Sequence, residues 1–211
     1  MTCNDRFNQI LDAWWSSDQP DTRSELVAHA EAEFGVERTV LAMDLSGFSR
    51  HTRQNGPVPF LALIRHMRRS IPALIARHDG DVVKFHADNC MAHFPDALSA
   101  VNAARDVQTA VAGPEFIHDA APPVRVAIGI ASGPIFVLPA TQQANAEPGT
   151  VITGDIFGNA VNQAFRFGED LAEAGEILLS AESAALIAGS FPSQPETRTY
   201  NDETVAVHVL R

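Results

Sequence analysis

Apolar positions recur first at helical spacing and then in short β-type runs. Phe7, Ile10, Leu11, Trp14 and Trp15 fall close to one helical face, and Pro20 ends that segment. Ser24–Phe34 predicts a second short helix, closed by Gly35. From Arg38 the pattern changes. Thr39–Met43 is a short apolar run with β-branched residues, which predicts a buried strand ending at Asp44. Pro57–His78 carries Phe60, Leu63, Ile64, Met67, Ile71, Leu74 and Ile75 at helical spacing, and Asp79-Gly80 marks a turn. Asp81–Phe85 and Cys90–Phe94 predict two strands joined through Ala87-Asp88-Asn89. Ala97–Val111 predicts a helix and Val124–Ala131 another strand. Residues 133–154 read as strand, loop, strand. Asn159–Leu171 predicts a helix, Glu176–Ser180 a strand and Ala181–Ala188 a short helix. Thr197–Tyr200 and Thr204–Leu210 form a terminal hairpin around Asn201-Asp202.

From Thr39 the order is strand, helix, strand, strand, helix, strand, followed by additions. That is the split βαβ arrangement of a ferredoxin-like α+β domain, a sheet with flanking helices. Residues 1–36 read as a helical appendage. The Trp14-Trp15 pair in it reads as a packing anchor, by ordinary burial within the chain or against a partner subunit. Because this fold hosts many functions, function has to come from the site.

The chain length of 211 residues suits one domain. No apolar run approaches the ~20 residues of a membrane span, and Met1–Asp12 lacks a basic-then-apolar leader. With two cysteines, Cys3 and Cys90, no disulfide framework is possible, which points to a reducing, cytoplasmic setting. A net charge of −11 disfavours nucleic-acid binding, which needs a basic surface. Of 15 basic residues a single one, Lys84, is lysine. GC-rich codon usage accounts for the arginine excess but not for the place of this remaining lysine.

The acidic residues at strand ends carry the first hint of chemistry. Asp44 ends the first strand and Asp88 sits between the second and third. In a ferredoxin-like sheet the first and third strands are neighbours, so both carboxylates can face one point. Paired carboxylates suit hard cations such as Mg²⁺ or Mn²⁺, although a lone Asp at a strand end is ordinarily a turn residue. The following Leu45-Ser46-Gly47-Phe48-Ser49 turn offers backbone N–H groups beside that point, and Gly47 permits close approach of phosphate oxygens. Asn162 and Arg166 are four apart and share a helical face. They are either solvated helix residues or, given arginine's planar fork, a phosphate grip.

Val40–Ser49, Val82–Phe94, Val124–Gly133, Asp155–Arg166 and Gly175–Glu182 together resemble the class III nucleotidyl cyclases. The resemblance runs from about Glu37 to the C-terminus, marking 37–211 as the catalytic domain, with the family's motifs in order. The forty-four-residue separation of Asp44 and Asp88 is similar to that of the family's two metal aspartates. The resemblance implies that Asp44 and Asp88, with the Leu45 carbonyl, hold two divalent cations. Gly47 and Phe48 would line the triphosphate. Lys84 and Asp155 fall at the purine-reading positions, Asn162 at the ribose-orienting one, and Arg166 at the arginine that offsets charge on the reacting phosphate. Adenine presents a ring-nitrogen acceptor beside an amine donor, which a lysine donor and an aspartate acceptor complement. Guanine reverses that polarity, so the pair points to ATP. The family builds its sites across a head-to-tail homodimer, one subunit supplying the aspartates and the other the remaining groups. The implied activity is adenylate cyclase, with a non-catalytic nucleotide-binding domain or a cyclase of another nucleotide as alternatives.

Two departures from the family pattern stand out, and one loop is unusually long. Ala87 occupies a position that is usually glycine, with Asn89 the residue able to take the left-handed backbone instead. The terminal hairpin has no phosphate-binding lysine, leaving Arg198 as a candidate. Leu138–Pro148 is longer than a tight turn and reads as a surface loop. The Arg65, Arg68 and Arg69 cluster reads as a solvated face, and His86 and His93 lack the spacing of a zinc site.

Overall fold

The computed structural model describes residues 3–46, 53, 56–116, 124–138 and 154–210. Two antiparallel helices, α1 (Cys3–Ser16) and α2 (Pro20–Phe34), lead into strand β1 (Gly35–Leu45). Helix α3 (Pro57–Ala76), strands β2 (Asp81–His86) and β3 (Asn89–Phe94), helix α4 (Ala97–Ala112) and strand β4 (Val126–Leu138) follow. The remainder is β5 (Asp155–Phe157), α5 (Asn159–Phe165), β6 (Ile177–Leu179), α6 (Ala181–Ile187), β7 (Ser193–Tyr200) and β8 (Glu203–Leu210). The sheet order is β2-β3-β1-β4-β6-β8-β7, with β5 paired to β4. The first four strands reproduce the expected split βαβ core.

β1 is central, antiparallel to both β3 and β4. Val40, Leu41, Ala42 and Met43 are all buried because the sheet is covered on both faces. Side chains alternate along the strand. Leu41, Met43 and Leu45 join Phe60, Ile71 and Val107 of α3 and α4 in the main core. Val40 and Ala42 face α5, where Ala160, Val161 and Ala164 pack. Asp44 continues the second series and so lies on the α5 side of the sheet.

Several boundaries differ from the sequence reading. Pro20 opens α2 rather than merely ending α1, since proline's fixed φ and missing N–H suit the first helical turn. β4 runs unbroken through Gly133 to Leu138. The helix expected over 159–171 stops at Phe165, and Arg166–Leu171 forms a wider π-type turn in which the Ala172 N–H reaches the Phe167 carbonyl at 2.8 Å. The Leu138–Pro148 loop lies outside the described residues from position 139 onward.

The double tryptophan is not an intramolecular anchor. Phe7 and Ile10 are buried against Ala30 and Phe34, with the Phe7 ring 5.2 Å from both Phe34 and Phe136. Trp15 remains 81% exposed. It lies five residues after Ile10, about 140° round the helix from that buried stripe. Trp14, at 37% exposed, is covered by the Arg23 guanidinium, 4.8 Å from its ring. No helix among the described residues is long and apolar enough to cross a membrane.

Candidate active site

The β1–β3 ladder ends at the Met43–Cys90 pair. Asp44 and the turn before Cys90 therefore emerge together at one edge of the sheet. Asp44 and Asp88 meet there and share a side-chain hydrogen bond. Burial, followed by the neighbouring Asp88 and Glu169 charges, raises the Asp44 carboxyl from 3.8 to about 7. Burial also raises Asp88, the one charged side chain among the buried polar residues described. Two desolvated carboxylates facing one another share a proton or take up a cation, and hard oxygen donors suit Mg²⁺ or Mn²⁺. The pair therefore fits a divalent cation. Among the described residues, no cluster of three His, Cys, Asp or Glu side chains stands at ligating distance. Leu45 is buried beside the pair, and its N–H donates to the Asp44 carboxylate. Gly47 and Phe48, expected to line the triphosphate, lie outside the described residues.

The turn carrying Asp88 has its own support. Ala87, not Asn89, takes the positive φ, at 49°, while Asn89 is already extended in β3. In a two-residue hairpin the first turn residue must reverse the chain, and β3 pairing begins at Asn89 with His86. Arg68 Nη2 donates to the Ala87 carbonyl at 3.0 Å, and its guanidinium lies 5.7 Å from the Phe85 ring centre. This member of the arginine cluster braces the turn and is not simply a solvated residue.

Lys84 lies on the α5 side of the sheet, in the register that the hairpin turn sets, and a β-bulge follows at Val83. Val82 pairs with Ala92, but Lys84 pairs with Met91, so one extra residue is inserted at Val83. The regular hairpin pairs His86–Asn89, Phe85–Cys90 and Lys84–Met91 set this face, and the bulge shifts the register of Val82 and Asp81 beyond it. As built, Lys84 shares the face of Met91 and meets Asp155, the first residue of β5. Lys84 Nζ donates to Asp155 Oδ1 at 2.8 Å and Oδ2 at 3.0 Å. Asp155 Oδ1 also accepts from the Ile156 N–H at 2.9 Å. Both side chains of the ion pair stay more than a third exposed.

Asn162 and Arg166 open onto a cleft of about 410 Å³, lined also by Phe165, Glu169, Tyr200 and Glu203. Arg166 Nη2 donates to Glu203 Oε2 at 2.5 Å. Glu203 follows the Asn201-Asp202 turn, where both residues have positive φ. Arg198, the hairpin candidate for binding terminal phosphates, is already occupied: Glu176 and Glu196 each accept from it at 3.0 Å, and Glu173 lies 3.8 Å away. It is not available to a phosphate in this arrangement.

The predicted side chains thus assemble into three pairs, Asp44 with Asp88, Lys84 with Asp155, and Asn162 with Arg166. No hydrogen bond or ion pair among the described residues joins one pair to another. Three contributors went unread in the sequence. Asn89 donates to Glu169, Glu169 projects from the π-type turn, and Glu203 covers Arg166. The Arg166–Glu169 spacing is visible in the sequence, but only the widened turn gives it meaning.

Comparison with known proteins bears on the fold. No family model and no curated protein matches the chain. Solved structures do. The adenylyl cyclase CyaB from P. aeruginosa is 20% identical over 84% of this chain and 94% of its own, with a TM-score of 0.69. The guanylate cyclase domain of RhGC from Catenaria anguillulae, solved in complex with GTP, is 20% identical over 83% and 96%, TM-score 0.68. The adenylate/guanylate cyclase/hydrolase from Silicibacter pomeroyi is 26% identical over 83% and 95%, TM-score 0.63. These are class III cyclase catalytic domains, and both purine types are represented among them.

Proposed function

On this class III cyclase fold, we propose that the chain is an adenylate cyclase converting ATP to 3′,5′-cyclic AMP and pyrophosphate. The observation that carries the base choice is the Lys84–Asp155 pair on the α5 face. Lys84 donates to the adenine ring nitrogen and Asp155 accepts from the exocyclic amine. Guanine would leave both polar groups unpaired, at about 1–3 kcal/mol each. Asp44 and Asp88 would hold the divalent cations, which would supply Lewis acidity for attack of the ribose 3′-hydroxyl on the α-phosphate. Asn162 orients the ribose. Arg166 donates to the α-phosphoryl oxygens as negative charge grows there. The expected assembly is a head-to-tail homodimer, in which the aspartates of one subunit meet Lys84, Asp155, Asn162 and Arg166 of the other.

A second reading, nucleotide binding without turnover, is favoured by the occupied state of Arg166 and Arg198, both held by the chain's own carboxylates. Incubating the purified chain with each of the four nucleoside triphosphates and Mn²⁺, then identifying products by mass spectrometry, separates the readings. Cyclic AMP from ATP is the expected result. Cyclic GMP as the main product would overturn the base assignment, and binding without any cyclic product would favour the second reading.

A further inference from the structure

Glu169 belongs to none of the three predicted pairs, yet the fold delivers it to one of them. The π-type turn Arg166–Leu171 rests on the sheet without intervening side chains. A Cβ on Gly168 would lie 2.6 Å from the Ala42 carbonyl oxygen and 3.1 Å from the Gly129 nitrogen. A Cβ on Gly129 would collide with the Ala164 carbonyl. Both glycines are therefore required for contact this close. The contact seats the turn on Ala42, two residues before Asp44 on the same face of β1.

The next residue, Glu169, then reaches the edge where Asp44 and Asp88 emerge. Its Oε1 accepts from Asn89 Nδ2, and Asn89 directly follows Asp88. Its charge helps to raise Asp44, and the Asp88 charge in turn helps to raise Glu169. The widened turn gives the two polar heads different partners, Arg166 going to Glu203 and Glu169 to Asn89.

We propose that Glu169 is a positioning residue for the divalent-cation pair, fixing the Asp88 turn through Asn89 and adding a third negative charge beside Asp44. This rests on the reading of Asp44 and Asp88 as cation ligands. Glu169 acts through Asn89 and through its charge, not as a ligand, in keeping with the two-carboxylate geometry of the site.

The test is Mn²⁺ binding to the full chain, read from the EPR signal of the free ion, without nucleotide or turnover. Glu169→Ala removes the tether and the charge. Glu169→Gln keeps an oxygen to accept from Asn89 and removes the charge alone. Outer partners of a cation site contribute about tenfold or more to affinity, so Glu169→Ala is expected to weaken Mn²⁺ binding about tenfold. Glu169→Gln should fall between it and wild type. Both variants should melt near the wild-type temperature in EDTA, because Glu169 is exposed. Wild-type Mn²⁺ affinity in Glu169→Ala, with binding abolished in Asp44→Asn, would overturn the positioning role while leaving the cation pair in place. Wild-type affinity in Asp44→Asn itself would overturn the cation assignment and the positioning role with it. A Glu169→Ala protein that fails to fold in EDTA, alongside a Glu169→Gln protein with unchanged affinity, would also overturn it, since Glu169 would then be structural.

Discussion

Lys84 and Asp155 are 71 residues apart, yet Nζ donates to both carboxylate oxygens, at 2.8 and 3.0 Å. A pair this exposed contributes only about 0–1 kcal/mol to stability. The two groups are therefore free to exchange each other for a base edge at little cost. A guanidinium's planar fork is a poor substitute for a compact ammonium beside an adenine ring. Lys84→Arg is expected to lower kcat/KM for ATP about tenfold or more, with folding unchanged. Steady-state kinetics with ATP and GTP check this, and a wild-type profile would remove Lys84 from base recognition.

A head-to-tail homodimer with composite sites leads to a second expectation. Asp44→Ala and Arg166→Ala should each be inactive alone. Mixed, they form heterodimers with one intact site made from the undamaged half of each chain. Partial recovery of cyclic AMP production on mixing is the expected outcome. Heterodimers demonstrated by differential tagging, with no recovery, would rule out a composite site.

Much of this was legible in the sequence because it depends on local pattern. The short apolar run Thr39–Met43, with its β-branched residues, marks a buried strand, and an Asp at its end marks an edge. The order of elements is enough for the β2-β3-β1-β4 core. What escaped depends on contacts between distant segments. The bulge at Val83 shifts the register of Asp81 and Val82, and a single inserted residue leaves no periodicity to read. The widened turn after Phe165 looks helical in sequence because its residues, Gly168 apart, are tolerable helix formers. The double tryptophan misled for the converse reason. Trp14 and Trp15 extend an apolar run, but only Phe7 and Ile10 have α2 and β4 to pack against.

Ala87 stores strain that glycine would release. Its φ of 49° places a Cβ in the left-handed region, at about 1–2 kcal/mol for an L-residue other than Asn or Asp. Glycine gives back part of that through its freer unfolded chain. Ala87→Gly is expected to stabilise the protein by about 0.5–1 kcal/mol. Urea denaturation followed by circular dichroism checks this, and a lower midpoint would mean that the Ala87 methyl packs productively.

Arg166 must leave Glu203 before it can meet a phosphate. The ion pair at 2.5 Å joins a partly covered guanidinium to a carboxylate that is 68% exposed, so its net strength is about 0.2–1 kcal/mol. Glu203→Gln should raise kcat/KM for ATP up to about fivefold, an amount set by that energy. A large loss of activity would instead mean that Glu203 orients Arg166 for the reaction.

Asp44 ties the site to the stability of the whole chain through pH. Its carboxyl titrates at about 7 in the folded protein against an ordinary 3.8. Between those values the folded state holds a proton that the unfolded state has lost, so stability falls as pH rises from about 4 to about 7 and then levels. Asp88 and Glu169 are shifted in the same direction by burial. His93, whose proton affinity burial lowers, works in the opposite sense, as does Asp106, held down chiefly by His78. Comparison with Asp44→Asn isolates the aspartate from these. In EDTA the wild type should melt at a higher temperature at pH 5 than at pH 8, and most of that difference should vanish in Asp44→Asn. Mn²⁺ displaces the shared proton, so the melting-temperature gain on adding it should grow with pH. A wild-type protein equally stable at both pH values in EDTA, or one with a slope that Asp44→Asn leaves intact, would show that the two carboxylates are not coupled in the folded chain.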